Sequence, residues 1–474
     1  MENKIWTLCV LVLVIYCSLV AAVDERPRWW TEEEEGGKED DKWPFLLQDS
    51  KHVVKTDAGD MRLVRGFATK FVRSPIHIGF IRMEPTSLFI PHYLDSSLIL
   101  FIHSGEAKIG HMDNDELVEK SLKRGDIYRI KAGSVFYLVN TEEGQRLNVI
   151  CSIDTSDSLE WHTIQSFFVA GGTYPASVLA GFDHSTLSAA FNVSEAELGK
   201  MLMRQSHGPI VHLSDSCSPN VWSKFLDMDH HHKVAHMKRT AHINKQENVQ
   251  VQKPKWSIRK LLFSIFGKAG EKMGSETTPD SYNIFDRTPN FKNDYGWSTA
   301  LDGSDYAPLQ HEDVGVYLVN LSAGSMMAPH MNPRATEYGI VLRGSGYIQI
   351  VYPNGSLAMK AKVKEGNVFW VPRYFPFCQI ASGTGPFEFF GFTTSARDNK
   401  PQFLVGANSL LHAMRGPELE EAFEMSKDRL EGIIDAQRES VILPARPEEV
   451  DGSGEETVGT MIMSLGNEMV MQFD

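Results

Sequence analysis

Two stretches of this 474-residue chain repeat one another at a fixed offset, which restricts its fold more than any other feature. Ala190-Phe191-Asn192-Val193-Ser194, with Leu198 and Leu202 beyond it, matches Ala422-Phe423-Glu424-Met425-Ser426, with Leu430 and Ile434 beyond it, at an offset of 232. Ser194 and Ser426 stand where N-caps stand, ahead of apolar residues at helical intervals. Upstream, Pro91-His92 mirrors Pro329-His330, and Gly125 mirrors Gly366. A supersecondary unit used twice accounts for all of these matches.

Each copy is strand-like before it becomes helical. From about 43 to 155, short apolar runs (98–102, 107–109, 127–130, 135–139) are cut by Gly, Asp, Asn and Pro, the rhythm of an antiparallel sandwich or barrel. A helical region follows at about 176–204. The order restarts near Tyr282, with runs at 315–318, 338–342, 347–351, 368–371 and 387–392, then helical spacing over about 407–437. The expected fold class is mainly β, two β units each followed by a helical arm.

The second copy holds Gly324, five residues, His330-Met331-Asn332, four residues, Glu337, six residues, Gly344, and later Gly366, five residues, Pro372. These resemble the two signatures of the cupin family. Both on one chain, twice, each set followed by a helical arm, resembles the bicupin 7S globulins, and most of all the vicilin-like seed storage proteins, over roughly residues 44–440. Phe136-Tyr137-Leu138-Val139-Asn140 and Pro401-Gln402-Phe403-Leu404 carry the same likeness. The resemblance implies two cupin jelly-roll barrels, a homotrimer formed through the helical arms, and a nutrient reserve without catalysis. The division expected is a signal peptide at 1–22, an acidic tail at 23–43, cupin 1 with its arm at 44–207 and a His-rich, basic linker at 208–279. Cupin 2 with its arm follows at 280–440, and a C-terminal tail at 441–474.

A functional cupin holds a metal with imidazoles and a carboxylate converging inside the barrel, because alternate side chains of each strand point inward. In the second barrel His330 and Glu337 match ligand positions, and Asn332 replaces the second histidine. Tyr374 replaces a glycine of the second signature and Phe377 its histidine, while Cys378, one residue on, should face the other way. No cofactor is expected; a divalent transition metal on His330, Asn332 and Glu337 is the one candidate. The bland reading is a relic pocket in which His330 and Glu337 bond to each other or to water. In the first barrel only His92 and Gly105 match. Leu94, Leu98, Lys131 and Phe136 stand at the remaining signature positions, leaving a packed core or an apolar pocket for a small organic ligand. A germin-like oxidase is disfavoured by the missing histidines. No Walker loop, Gly-x-Ser-x-Gly elbow or His-Glu-x-x-His is present.

Met1 to Ala22 reads as a secretory signal: Lys4, an apolar run from Leu8 to Leu19, then Val20-Ala21-Ala22. The run falls short of the roughly 20 apolar residues of a membrane span, so no stable membrane association is expected. Secretory entry, with a storage vacuole or the cell exterior as destination, makes the sequons at Asn192, Asn320 and Asn354 candidate glycosylation sites. Asn354-Gly355 is the clearest, since that pair reads as a hairpin turn. Cys151, Cys217 and Cys378 remain after the signal and allow at most one intrachain disulfide. A net charge of −14 disfavours nonspecific nucleic-acid binding. The linker carries His230-His231-His232, His236 and His242, read as a solvated segment before a metal site, and a basic amphipathic stretch at 255–268. Thirteen Gln and 18 Asn are few for a nitrogen reserve, so fold and function stay separate claims.

Overall fold

The computed structural model describes residues 44–48, 50–66, 75–113, 116–154, 158–159, 164–213, 281–397 and 399–445. The signal segment, the acidic tail, nearly all of the linker and the C-terminal tail beyond 445 lie outside the described residues. The chain divides into two units, Met1–Leu46 and Leu47–Asp474, and both barrels belong to the second.

The first barrel is built from two antiparallel sheets. One runs in the order Tyr282–Asn283, Asp126–Ile130, Ser97–Ser104, Leu147–Asp154, Ile76–Met83, Gly59–Val64, Ser50–Thr56. The other runs Ser166–Phe168, Ser87–Leu94, Phe136–Asn140, Ala107–Asp113, Glu116–Leu122, with Ile210–His212 also on Ser87–Leu94. The inner faces supply one continuous apolar core that includes Leu94, Leu98, Leu100, Ile102, Phe136 and Leu138. Leu98 to Ile102 are all buried, on both faces, because the outward residues meet the second barrel: Phe101 stacks on Phe390 with centroids 3.9 Å apart. Arg129 and Glu312 form an ion pair across the same boundary.

The second barrel repeats the plan, with Ile442–Pro444 on Ser325–Met327 as Ile210–His212 lies on Ser87–Leu94. Its outer hairpin alternates in register with the sequence: along Leu357–Lys364, Met359, Ala361 and Val363 are buried while Lys360, Lys362 and Lys364 are exposed. The two runs expected at 338–342 and 347–351 prove to be one strand, Glu337–Val351. Its first half pairs with Val368–Val371 and Phe387–Thr393, its second half with Leu357–Lys364 and Phe377–Ala381. A register shift between Val341 and Arg343 bends the strand from one sheet into the other.

The arms repeat as well. The first has α1 (His184–Phe191) and α2 (Glu195–Met203), closed on Leu187, Leu198 and Leu202. A short helix within the second barrel, α3 (Ala307–Glu312), precedes the second arm of α4 (Leu410–Ala413), α5 (Pro417–Ala422) and α6 (Lys427–Ile434), with Leu419 and Leu430 buried. Each buried leucine contributes about 1.5–3 kcal/mol. Asn192 and Glu424, 232 residues apart, both take the left-handed conformation that joins one helix to the next. The caps differ: Ser194 accepts a bond from the Glu197 N–H, whereas Ser426 makes no side-chain capping bond.

Candidate functional site

His330 opens the short strand His330–Met331, opposite Phe377 on one side and Phe403 on the other. Its Nδ1 bonds the Ala328 carbonyl at 2.7 Å, and its ring packs against Phe377 and Phe403 at 4.1 and 5.2 Å between centroids. Burial pulls its pKa down to about 4, only partly offset by the Ala328 carbonyl. His92 repeats this arrangement: Nδ1 to the Ile90 carbonyl at 2.7 Å, Phe136 at 4.3 Å, Phe168 at 5.5 Å, and a pKa likewise lowered to about 4 by burial. Both imidazoles are neutral packing elements of the barrel wall.

Asn332 is buried and every polar atom of its amide is engaged. Oδ1 accepts the N–H groups of Arg334 and Ala335, each at 3.0 Å. Nδ2 donates to Glu337 Oε1 at 2.8 Å and to Asn399 Oδ1 at 2.6 Å. The carboxyl of Glu337 is therefore met by an N–H donor. The reading in which His330 and Glu337 bond to each other is corrected: their partners are Ala328 and Asn332. Burial raises the Glu337 pKa to about 7, with the Asn332 bond opposing the rise. Tyr317 aims a buried Oη, without a hydrogen-bond partner among the described residues, into the same barrel. Burial and the nearby Glu337 carboxyl push its pKa well above the usual phenol value.

This donor set does not fit a divalent metal. His330 donates Nδ1–H to a carbonyl, a bond that metal-ligating histidines also make, so its Nε2 is the one ring atom left as a ligand. The imidazole lies between two phenylalanine rings. The only oxygen of the Asn332 side chain is bonded to two backbone N–H groups, and the atom facing Glu337 is a nitrogen carrying hydrogens. Among the described residues, no group of three or more His, Cys, Asp and Glu is arranged to hold a metal ion. Cys378 does alternate away from Phe377, packing with Ile380, Met326 and Tyr347. Cys151 is buried in the first barrel, and among the described residues no disulfide forms. His230, His231, His232, His236 and His242 lie outside the described residues. The interior of the first barrel is filled by Leu94, Leu98 and Phe136 around His92.

The sequons stand in different settings. Asn354 sits at the exposed tip of the hairpin joining Glu337–Val351 to Leu357–Lys364, its Oδ1 held by the Ser356 N–H and hydroxyl. Asn192 is exposed at the turn between α1 and α2. Asn320 lies within a paired strand, half-buried, its amide donating to Glu388 at 3.0 Å. Sequence reasoning missed the residues that surround the matched positions: Asn399, Tyr317 and Phe403. Phe403 had a signal, since it lies in the family-like phrase at 401–404. The other two sit in loops and strands without a motif.

The family model described as Cupin matches residues 47–198 and 282–430. A vicilin-like seed storage protein of Arabidopsis thaliana is 53% identical over 411 residues, covering 84% of this chain and 80% of that protein. A second Arabidopsis thaliana vicilin-like seed storage protein is 30% identical over 427 residues, covering 84% of this chain and 74% of the relative. Among solved structures, the vicilin of Corylus avellana (hazelnut) aligns with a TM-score of 0.68 at 24% identity, over 85% of this chain and 99% of the other.

Proposed function

Because this chain belongs to the cupin family, as a bicupin 7S globulin and a vicilin-like seed storage protein, we propose that it acts as a reserve through packing and assembly, with no catalysis. The observation that carries this reading is the contrast between its barrels and its arms. Where a metallocupin gathers several imidazoles and a carboxylate, each barrel of this chain has one histidine at a matched position, packed against phenylalanine rings, and the second barrel adds a saturated amide. The arms leave apolar surface uncovered at matched places: Phe182 and Met414, Phe191 and Phe423, Met201 and Ile433, each pair 232 apart and each residue between 48% and 61% exposed.

Six large apolar side chains left in water on two arms of the same design mark a contact surface. Two similar patches at different places on one chain pair head to tail, the first arm of one protomer on the second arm of the next, and a closed ring of such contacts covers them all. We assign that ring three members, following the resemblance to 7S globulins. Secretory entry and a storage vacuole complete the reading, and among the described residues no helix is long and apolar enough to cross a membrane. The test is abundance through the life of the tissue. Quantitative mass spectrometry of the source seed should find the protein plentiful at maturity and consumed during germination; a trace protein whose level does not fall would contradict the reserve.

A further inference from the structure

The two barrels share a backbone at one end and differ in what they display there. Gly133, eight residues after Gly125, and Tyr374, eight residues after Gly366, both have φ +73°. Glycine reaches that region without steric cost, whereas a residue with a Cβ loses roughly 1 kcal/mol or more. The second barrel keeps a tyrosine there nonetheless, 50% exposed, with the Arg373 guanidinium 5.4 Å from its ring centroid. An exposed ring adds little to the core, so its place on a strained backbone calls for another use.

Three loops leave this end of the barrel together, because Glu337, Val371 and Thr393 are in register across neighbouring strands. They meet at Asn332, whose carbonyl accepts the Tyr374 N–H at 2.9 Å and whose side chain holds Arg334 N and Asn399 Oδ1. The described loop residues (331–336, 372–376, 394–397 and 399–401) include Arg334, Arg373, Arg397 and Lys400, all exposed. None of the four enters an ion pair among the described residues. Against them stand Asp398 in the sequence, the adjoining Asp313, whose carboxylate accepts the Ala396 N–H, and Glu337 beneath Asn332, so the four cations outnumber the carboxyl groups by one. A net positive collar on a chain of net charge −14 is a local concentration of charge. The first barrel has no counterpart: Ser96 and Ala132 stand where Arg334 and Arg373 stand, and Lys131 is paired with Asp113 at 3.7 Å.

We propose that this end of the second barrel is a binding site for a small soluble oligophosphate. Arg334, Arg373, Arg397 and Lys400 would supply the charge, and Tyr374 would hold the Arg373 fork in place. Guanidinium groups match phosphate oxygens two at a time, and cations set on three loops around one point suit several linked phosphate groups better than one carboxylate. The Asn332 hydrogen bonds fix the loops beforehand, so little ordering is left to the ligand. This inference does not rest on the storage reading.

The test is calorimetric titration of the full-length protein with inorganic tripolyphosphate, at low and at physiological salt, alongside the assembly mass. Wild type should take up about one anion per chain, more weakly as salt rises. The Arg334→Ala/Arg373→Ala variant should lose at least about tenfold in affinity with its assembly mass unchanged. Tyr374→Gly, which relieves the backbone, should melt no lower than wild type yet bind more weakly, and Lys131→Ala should bind as wild type does. The proposal fails if wild type takes up no tripolyphosphate, or if the rim variants bind as tightly as wild type. It fails equally if the arginine variant changes the assembly mass while wild type shows no anion uptake, which would make the collar a contact for acidic residues of a second copy.

Discussion

A neutral imidazole between phenylalanine rings, one nitrogen on a carbonyl two residues back, cannot take a proton without disturbing that packing. For His92 the consequence has a sign. Its folded pKa is lowered to about 4 from 6.5, so its contribution to stability is complete above pH 6.5 and is lost as pH falls through 4. The full shift corresponds to about 3 kcal/mol per buried histidine. Denaturant titrations of His92→Phe and wild type at one protein concentration, at pH 7 and about pH 4.5, should show the variant losing less stability on acidification by about 1–3 kcal/mol. Equal losses would mean that His92 is protonated in the fold. Asn332 works differently, as a junction. Asn332→Ala deletes four side-chain hydrogen bonds and leaves Glu337 buried without that donor. The melting temperature at neutral pH should fall as expected for a loss of about 2–4 kcal/mol. The sequence put Asn332 in a histidine's place, but spacing cannot say which amide atom faces Glu337. That orientation, set by two backbone N–H groups in the same loop, takes the Asn332 oxygen out of the candidate ligand set and leaves His330 and Glu337.

At the scale of elements, the arms show why a repeat is a stronger guide than propensity. The 232-residue offset predicted matched helices, and it holds for buried residues (Leu187 with Leu419, Leu198 with Leu430) and for exposed ones (Phe191 with Phe423). Replacing Phe191 or Phe423 with Asp should leave the fold intact, since each side chain is about half exposed, and should dissociate the assembly. Light scattering after size exclusion reads this directly: lower mass with unchanged circular dichroism is expected, and an unchanged mass from the double variant would remove the arms from the interface. The strand Glu337–Val351 was less legible. Its polar-looking middle, Arg343-Gly344-Ser345, reads as a break, and Gly344 does turn the backbone to φ +78°, yet ladder pairing continues on both sides as the chain passes from one sheet to the other. Local pattern marks where side chains change face. It does not reveal that hydrogen bonding continues with new partners.

For the molecule as a whole, two barrels stack through Phe101 and Phe390, and the arms leave matched apolar patches exposed, the surfaces on which the proposed assembly rests. The duplicated plan and the failing metal signature could both be read in the sequence. The collar on the second barrel could not, because Arg334, Arg373 and Arg397 come together only once three loops converge on Asn332. The central claim is that this chain works by assembling, with no metal chemistry in its barrels. Native mass spectrometry of the purified, untagged protein tests it most directly. The account predicts a complex of three chains whose mass is that of polypeptide and glycan alone. A single chain, or one transition-metal ion per chain that disappears with His330→Ala, would contradict it.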